Sequence, residues 1–241
     1  MQIDRRGALI SMSALMVTPW LSQLAHATGR AKRRVTILLF DGVTVLDAVG
    51  PYELLHRVPE LEVNFVAEKE GLVTADSGEL RLLAEQSLTD VQETSILIVP
   101  GGGIGVRRVR ENQLVMEWIK AIDQTTTYTA SVCTGSLILA GAGLLRSRDA
   151  TTHWALKDML GEFGVQYRAE RYVRSGKYWT SAGVSAGIDM TLAMIGEMYG
   201  ANEAQIQQLG LQYDPDPPFD SGSDQKAPPE IVEAFLARRR R

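Results

Sequence analysis

Four short runs of apolar and β-branched residues recur along the chain: VTILLF (35–40), VNFVAE (63–68), SILIVP (95–100) and YTASVC (128–133). They constrain the fold more than any other feature. A strand with one wet face alternates apolar and polar residues, whereas these runs are nearly continuous, so both of their faces must be covered. Helical stretches separate them, and strands joined through helices pair in parallel. Pro51 is predicted to open a helix through YELLHRV, and ENQLVMEWIKAI and GIDMTLAMIGEMYG have their apolar residues at helical spacing. YWTSAG (178–183) reads as a further strand entering the last of these helices. The expected fold is one α/β domain, a doubly wound, mostly parallel sheet with helices on both faces, of the flavodoxin-like kind. Ligands in such sheets sit at the carboxyl ends of the strands, where strand order reverses.

The domain is expected to span 35–241, with 28–34 as a linker. Residues 1–27 read as an export signal of the twin-arginine type: Arg5-Arg6, a short apolar run, then Ala25-His26-Ala27 as a small-x-small cleavage pattern. That run is too short to span a bilayer about 30 Å thick. The signal implies a periplasmic or exported protein that meets the membrane only in transit; without it the protein would be cytoplasmic. The proline-rich stretch 214–230 reads as an arm before a final helix. A formal charge of −4 gives no footing for nucleic acid, and the basic tail reads as a solvated helix end. One cysteine and three histidines exclude an internal disulfide and argue against a metal site.

Three segments carry chemistry. PGGGIG follows the strand at 95–100 but lacks the third glycine of a dinucleotide fingerprint and the lysine of a phosphate loop. Its glycines are left either as a tight turn or as backbone N–H groups exposed to a reacting atom. GVSAG (183–187) matches a serine elbow, yet no histidine follows Ser185. Ser185 is therefore expected near a helix N-terminus rather than as a nucleophile. YTASVCTGSLILAGAG places Cys133 on the turn between a strand and a helix. A helix N-terminus there would lower the thiol pKa and make a nucleophile, the alternative being an inert buried thiol. His153, in ATTHW, could serve as a base. Asp47, in VLDAVGP, also reaches the carboxyl edge of the sheet. It could cap a helix, or, crowded against the thiol in an apolar pocket, hold its proton and act as an acid.

Together LDAVGPYELL, IVPGGGIGV, YTASVCTGSLILAGAGLL, ATTHWA, SAGID and PPFDSGS resemble the ThiJ/PfpI superfamily, and within it the isocyanide hydratase branch. The segments run in the family's order over about residues 35–232. The resemblance implies Cys133 as nucleophile, Asp47 as the acid beside it, and Gly102 with the backbone of Thr134 as an oxyanion-type pocket. The resemblance gives His153 no firm role, and His153 and Ser185 are read as standing behind that pair. It also implies no cofactor, a small-molecule substrate and a homodimer. Where the branch usually carries a run of glycines, this chain has Ser181-Ala182-Gly183. The expected reaction is hydration of a small organic isocyanide to an N-substituted formamide through a cysteine-bound thioimidate. Rival readings are another enzyme of the superfamily, such as an amidase or a glyoxalase-like hydratase, and a non-enzymatic redox sensor using the same thiol.

Overall fold

The structure, a computed structural model, describes residues 31–239. The expected export signal lies outside the described residues. In chain order the elements run β1 (Arg33–Leu38), α1 (Val45–Leu55), β2 (Leu61–Ala67), the hairpin β3 (Gly71–Thr74) and β4 (Arg81–Ala84), β5 (Gln86–Ser87) and β6 (Ile96–Val99). Then come α2 (Ile104–Glu111), α3 (Gln113–Asp123), β7 (Tyr128–Val132), α4 (Gly135–Gly141), β8 (Asp149–Ala150), α5 (Asp158–Gly161) and β9 (Gln166–Tyr167). The chain closes with β10 (Tyr172–Ser175), β11 (Tyr178–Ser181), α6 (Ala186–Tyr199), α7 (Ala201–Leu211) and α8 (Pro229–Arg239).

Seven strands form the central sheet in the order β10-β11-β7-β6-β1-β2-β5. Every pairing is parallel except the edge hairpin β10–β11. The doubly wound sheet is therefore as expected, and the strand pleat explains its two cores. Along β6, Ile96 and Ile98 join one apolar cluster with Leu54 of α1 and Met190 and Met194 of α6. Leu97 and Val99 point the other way, to Ile119 of α3 and Ile138 of α4. All four β6 residues are buried, which is why the run shows no polar alternation.

Several boundaries differ from expectation. The linker ends sooner, because Arg33 and Arg34 already pair with Leu61 and Glu62 in the sheet. The first helix begins at Val45, so Pro51 lies inside it rather than at its start. Proline has no N–H to give to the carbonyl four residues back, which is that of Asp47. The β3–β4 hairpin, α2 and α7 were not foreseen. No helix among the described residues is long and apolar enough to cross a membrane.

The chain runs from β1 to β2 on one side, and β6 joins β1 on the other. Strand order reverses there, so the crevice opens between the carboxyl ends of β1 and β6. The segments after β1, β6 and β7 carry Asp47, Gly101 and Cys133.

Candidate functional site

Cys133 is the residue between β7 and the turn into α4, and its φ is 57°. That left-handed conformation costs a non-glycine residue about 1–3 kcal/mol, and surrounding bonds must hold it. They do. Its N–H donates to Ser181 O at 3.1 Å and Ala182 O at 2.9 Å. Its carbonyl accepts from the hydroxyls of Ser136 at 3.1 Å and Thr152 at 3.2 Å. The acceptors at 181 and 182 are main-chain carbonyls. Close approach fixes the helix behind the elbow: a Cβ on Gly135 would stand 2.0 Å from Val99 O.

Asp47 sits in the first turn of α1 and is wholly buried. Its Oδ2 accepts the Gly101 N–H at 2.9 Å, and Oδ1 has no oxygen or nitrogen partner. The Cys133 thiol is its other hydrogen-bonding neighbour. Gly101 makes this meeting sterically feasible. A Cβ there would stand 2.6 Å from Thr134 Oγ1 and 2.8 Å from Asp47 Oδ2. Burial, opposed by the Gly101 and Cys133 hydrogen bonds and helped by the charge of Asp76, pushes the carboxyl from 3.8 up to about 7.

The thiol does not follow the expectation of a lowered pKa. Burial first, and then the negative charge of Asp47, push Cys133 up to about 12, against donors at Thr134 and Val184 that favour the thiolate. α4 is only seven residues long, too short for its terminus to outweigh desolvation. The two groups ionise as a pair. Between those limits the pair holds one proton, mostly on the sulfur, the weaker acid of the two.

The other foreseen residues take different places. The Thr134 N–H faces the sulfur. The Gly102 N–H, expected as an open donor, instead gives its hydrogen bond to Thr134 Oγ1 at 3.0 Å. The single proton of that hydroxyl can turn to Gly102 O, 3.0 Å away, or to the sulfur. The donors at the sulfur are thus the main chain of Thr134 and Val184, and the second was not foreseen. His153 is not joined to Cys133 by a hydrogen bond. Its Nδ1 accepts from Ala155 N at 3.2 Å, and its ring stacks on Trp154 and on Phe235 of α8. Burial keeps its pKa low. Ser185 is exposed, and its hydroxyl accepts from Arg171 Nη2 at 3.4 Å rather than pairing with a histidine.

The cleft of about 430 Å³ lined by Phe40, Glu68, Lys69, Val73 and Arg108 does not include Cys133 or Asp47. A second, of about 400 Å³, is lined by Asp41, Asp76, Gly103, Ile104 and Arg108, on the loops flanking Asp47. Among the described residues, no group of three or more histidines, cysteines or carboxylates could hold a metal ion.

The fold and the elbow define an α/β protein whose one cysteine is paired with a protonatable carboxyl at the switch point of the sheet. The chain belongs to the DJ-1/PfpI family, whose model matches residues 33–197. An isonitrile hydratase of Pseudomonas putida is 40% identical over 83% of this chain and 87% of its own length. A deglycase of Pyrococcus abyssi is 33% identical over 63% of this chain and 90% of its own. The crystal structure of a ThiJ/PfpI family protein from Pseudomonas syringae superimposes with a TM-score of 0.83 at 31% identity, covering 96% of this chain and 93% of that one.

Proposed function

We propose that the protein hydrates a small organic isocyanide to an N-substituted formamide, with Cys133 as nucleophile and Asp47 as proton relay. The likeness to the Pseudomonas putida isonitrile hydratase supports the reaction. One observation carries the residue assignment: a fully buried carboxyl, bonded by the Gly101 N–H, stands beside the thiol held on a strained elbow.

An isocyanide, R–N≡C, has one carbon that accepts a nucleophile and then takes a proton. The Cys133 proton passes to Asp47, the sulfur adds to the carbon, and Asp47 returns the proton to that carbon, giving the thioimidate R–N=CH–S. The N–H groups of Thr134 and Val184 steady the sulfur as it enters and leaves. Asp47, now ionised, takes one proton from water as its oxygen bonds to the carbon. The hydroxyl proton of the adduct passes to nitrogen, the C–S bond breaks, and the formamide R–NH–CHO leaves. Both water hydrogens are accounted for: one restores Asp47 and the other ends on nitrogen. No redox partner is required.

The test is formamide release from cyclohexyl isocyanide by the purified protein beside Cys133→Ala. Turnover that vanishes in the variant is expected; equal turnover in both would end the assignment. A second reading, carbonyl chemistry on the same cysteine, draws support from the likeness to the deglycase. Turnover of methylglyoxal-adducted amines with none of the isocyanide would favour it. A homodimer and export through residues 1–27 complete the proposal. Sedimentation of the mature chain as a monomer, or its recovery only in the cytoplasmic fraction with residues 1–27 attached, would remove the corresponding part.

A further inference from the structure

The segment TVLD (44–47) has the spacing of a helix capping box, in which threonine and the acid three residues on satisfy each other's backbone N–H groups. Neither does so here. Thr44 is the N-cap of α1 but makes no side-chain cap. Its hydroxyl instead donates to Asp76 Oδ2 at 2.6 Å, 32 residues away in the turn of the β3–β4 hairpin. A threonine cap is worth about 1 kcal/mol to a helix, so diverting it calls for a reason.

The diverted bond is one of four that lace the hairpin to the loop before α1. Thr74 N–H donates to Asp41 Oδ1 at 2.8 Å, Gly42 N–H to Thr74 O at 2.8 Å, and Asp76 N–H to Val43 O at 2.9 Å. From Thr44 the chain of bonds continues into the site. Its N–H donates to Gly101 O at 2.9 Å, its carbonyl accepts the Asp47 N–H at 3.0 Å, and Gly101 N–H reaches Asp47 Oδ2 at 2.9 Å. A capping-box arrangement would have turned Asp47 back on its own helix and away from Cys133.

We propose that Asp76 is a positioning residue for Asp47: it holds Thr44, and with it the turn that aims Asp47 at Gly101 and Cys133, and its negative charge keeps the proton on Asp47. The charge acts in the direction of the raised carboxyl pKa. The charged or titratable groups facing Asp47 are the Cys133 thiol from the elbow and Asp76 from the hairpin, with Asp41 and Arg108 lining the cleft beside Asp76. Asp76 itself is exposed, so its field is partly screened. The inference rests on Asp47 being the proton relay of the proposed reaction.

The experiment follows the Asp47 carboxyl by ¹³C NMR across pH in the wild type, Asp76→Asn and Asp76→Ala, alongside the pH profile of kcat/KM for isocyanide hydration. Asn keeps an acceptor for Thr44 and removes the charge. It is expected to lower the carboxyl midpoint and to move the rising limb of kcat/KM to lower pH by the same amount. Ala removes both, and is expected to add a fall in kcat of about tenfold, as a misaimed group does. Restoration of kcat by Asp76→Glu would support the positioning part. An unchanged carboxyl midpoint in Asp76→Asn, with the protein folded, would overturn the inference. A midpoint that moves while the kinetic limb stays would leave the electrostatic claim standing and remove Asp47 from the proposed reaction.

Discussion

Replacing Asp47 by asparagine should change how stability depends on pH, in a direction fixed by the burial of that carboxyl. Its pKa is raised from 3.8 to about 7 in the folded chain. A raised carboxyl contributes stability that is fully present below 3.8 and is lost as pH rises through about 7, because the unfolded chain ionises first. Between pH 5 and pH 8 the wild type should lose about 3 kcal/mol at this one site. Cys133 adds little there, since an unfolded thiol with pKa near 9 is still mostly protonated at pH 8. Asp47→Asn has nothing to ionise, so its stability should be flat over the same range apart from changes common to both proteins. Urea unfolding of reduced protein at pH 5, 6.5 and 8 measures the difference between the two curves. The gap should open steadily in favour of the variant. Parallel curves would mean that Asp47 ionises normally in the native protein, and the shared-proton account of the pair would fail.

Other consequences can be checked separately. Asp47→Asn removes the second cause of the raised thiol pKa, so Cys133 alkylation by iodoacetamide should rise at lower pH than in the wild type. Gly101→Ala brings a methyl group to 2.7 Å from Thr134 N, which should reduce kcat/KM about a hundredfold while destabilising the fold by about 1–3 kcal/mol. Asp123 is buried away from the site, paired with Lys177 at 3.1 Å and bonded by Thr129 and Tyr178. Asp123→Ala should cost about 3–5 kcal/mol in chemical denaturation and leave the Asp47 titration where it was.

What the sequence made legible was what burial on two faces imposes. Ile96 to Val99 had no polar alternation to hide them, and the elbow followed from a strand and a small-residue helix abutting at Cys133. Asp47 was legible by its place after β1. Its pairing with Gly101 was not, because that contact spans 54 residues and is made by a backbone N–H that any residue type carries. The signal that could have found it is the proline-flanked glycine run, read as a demand for space rather than for donors. The direction of the thiol pKa was misjudged since local sequence shows the helix start but not the burial around it. The β3–β4 hairpin was missed because Leu72, Leu80 and Leu83 are exposed and show no core-facing alternation. With it went Asp76, whose partner Thr44 reads locally as an ordinary cap.

The central claim is that Asp47 relays the proton between Cys133 and the isocyanide carbon. Its most direct measurement is kcat/KM for formamide formation by Asp47→Asn at pH 7.5, with circular dichroism establishing that the variant is folded. A loss of about 10²–10⁴-fold is predicted, the range for removing a positioned acid–base group. Full turnover in the folded variant would contradict it.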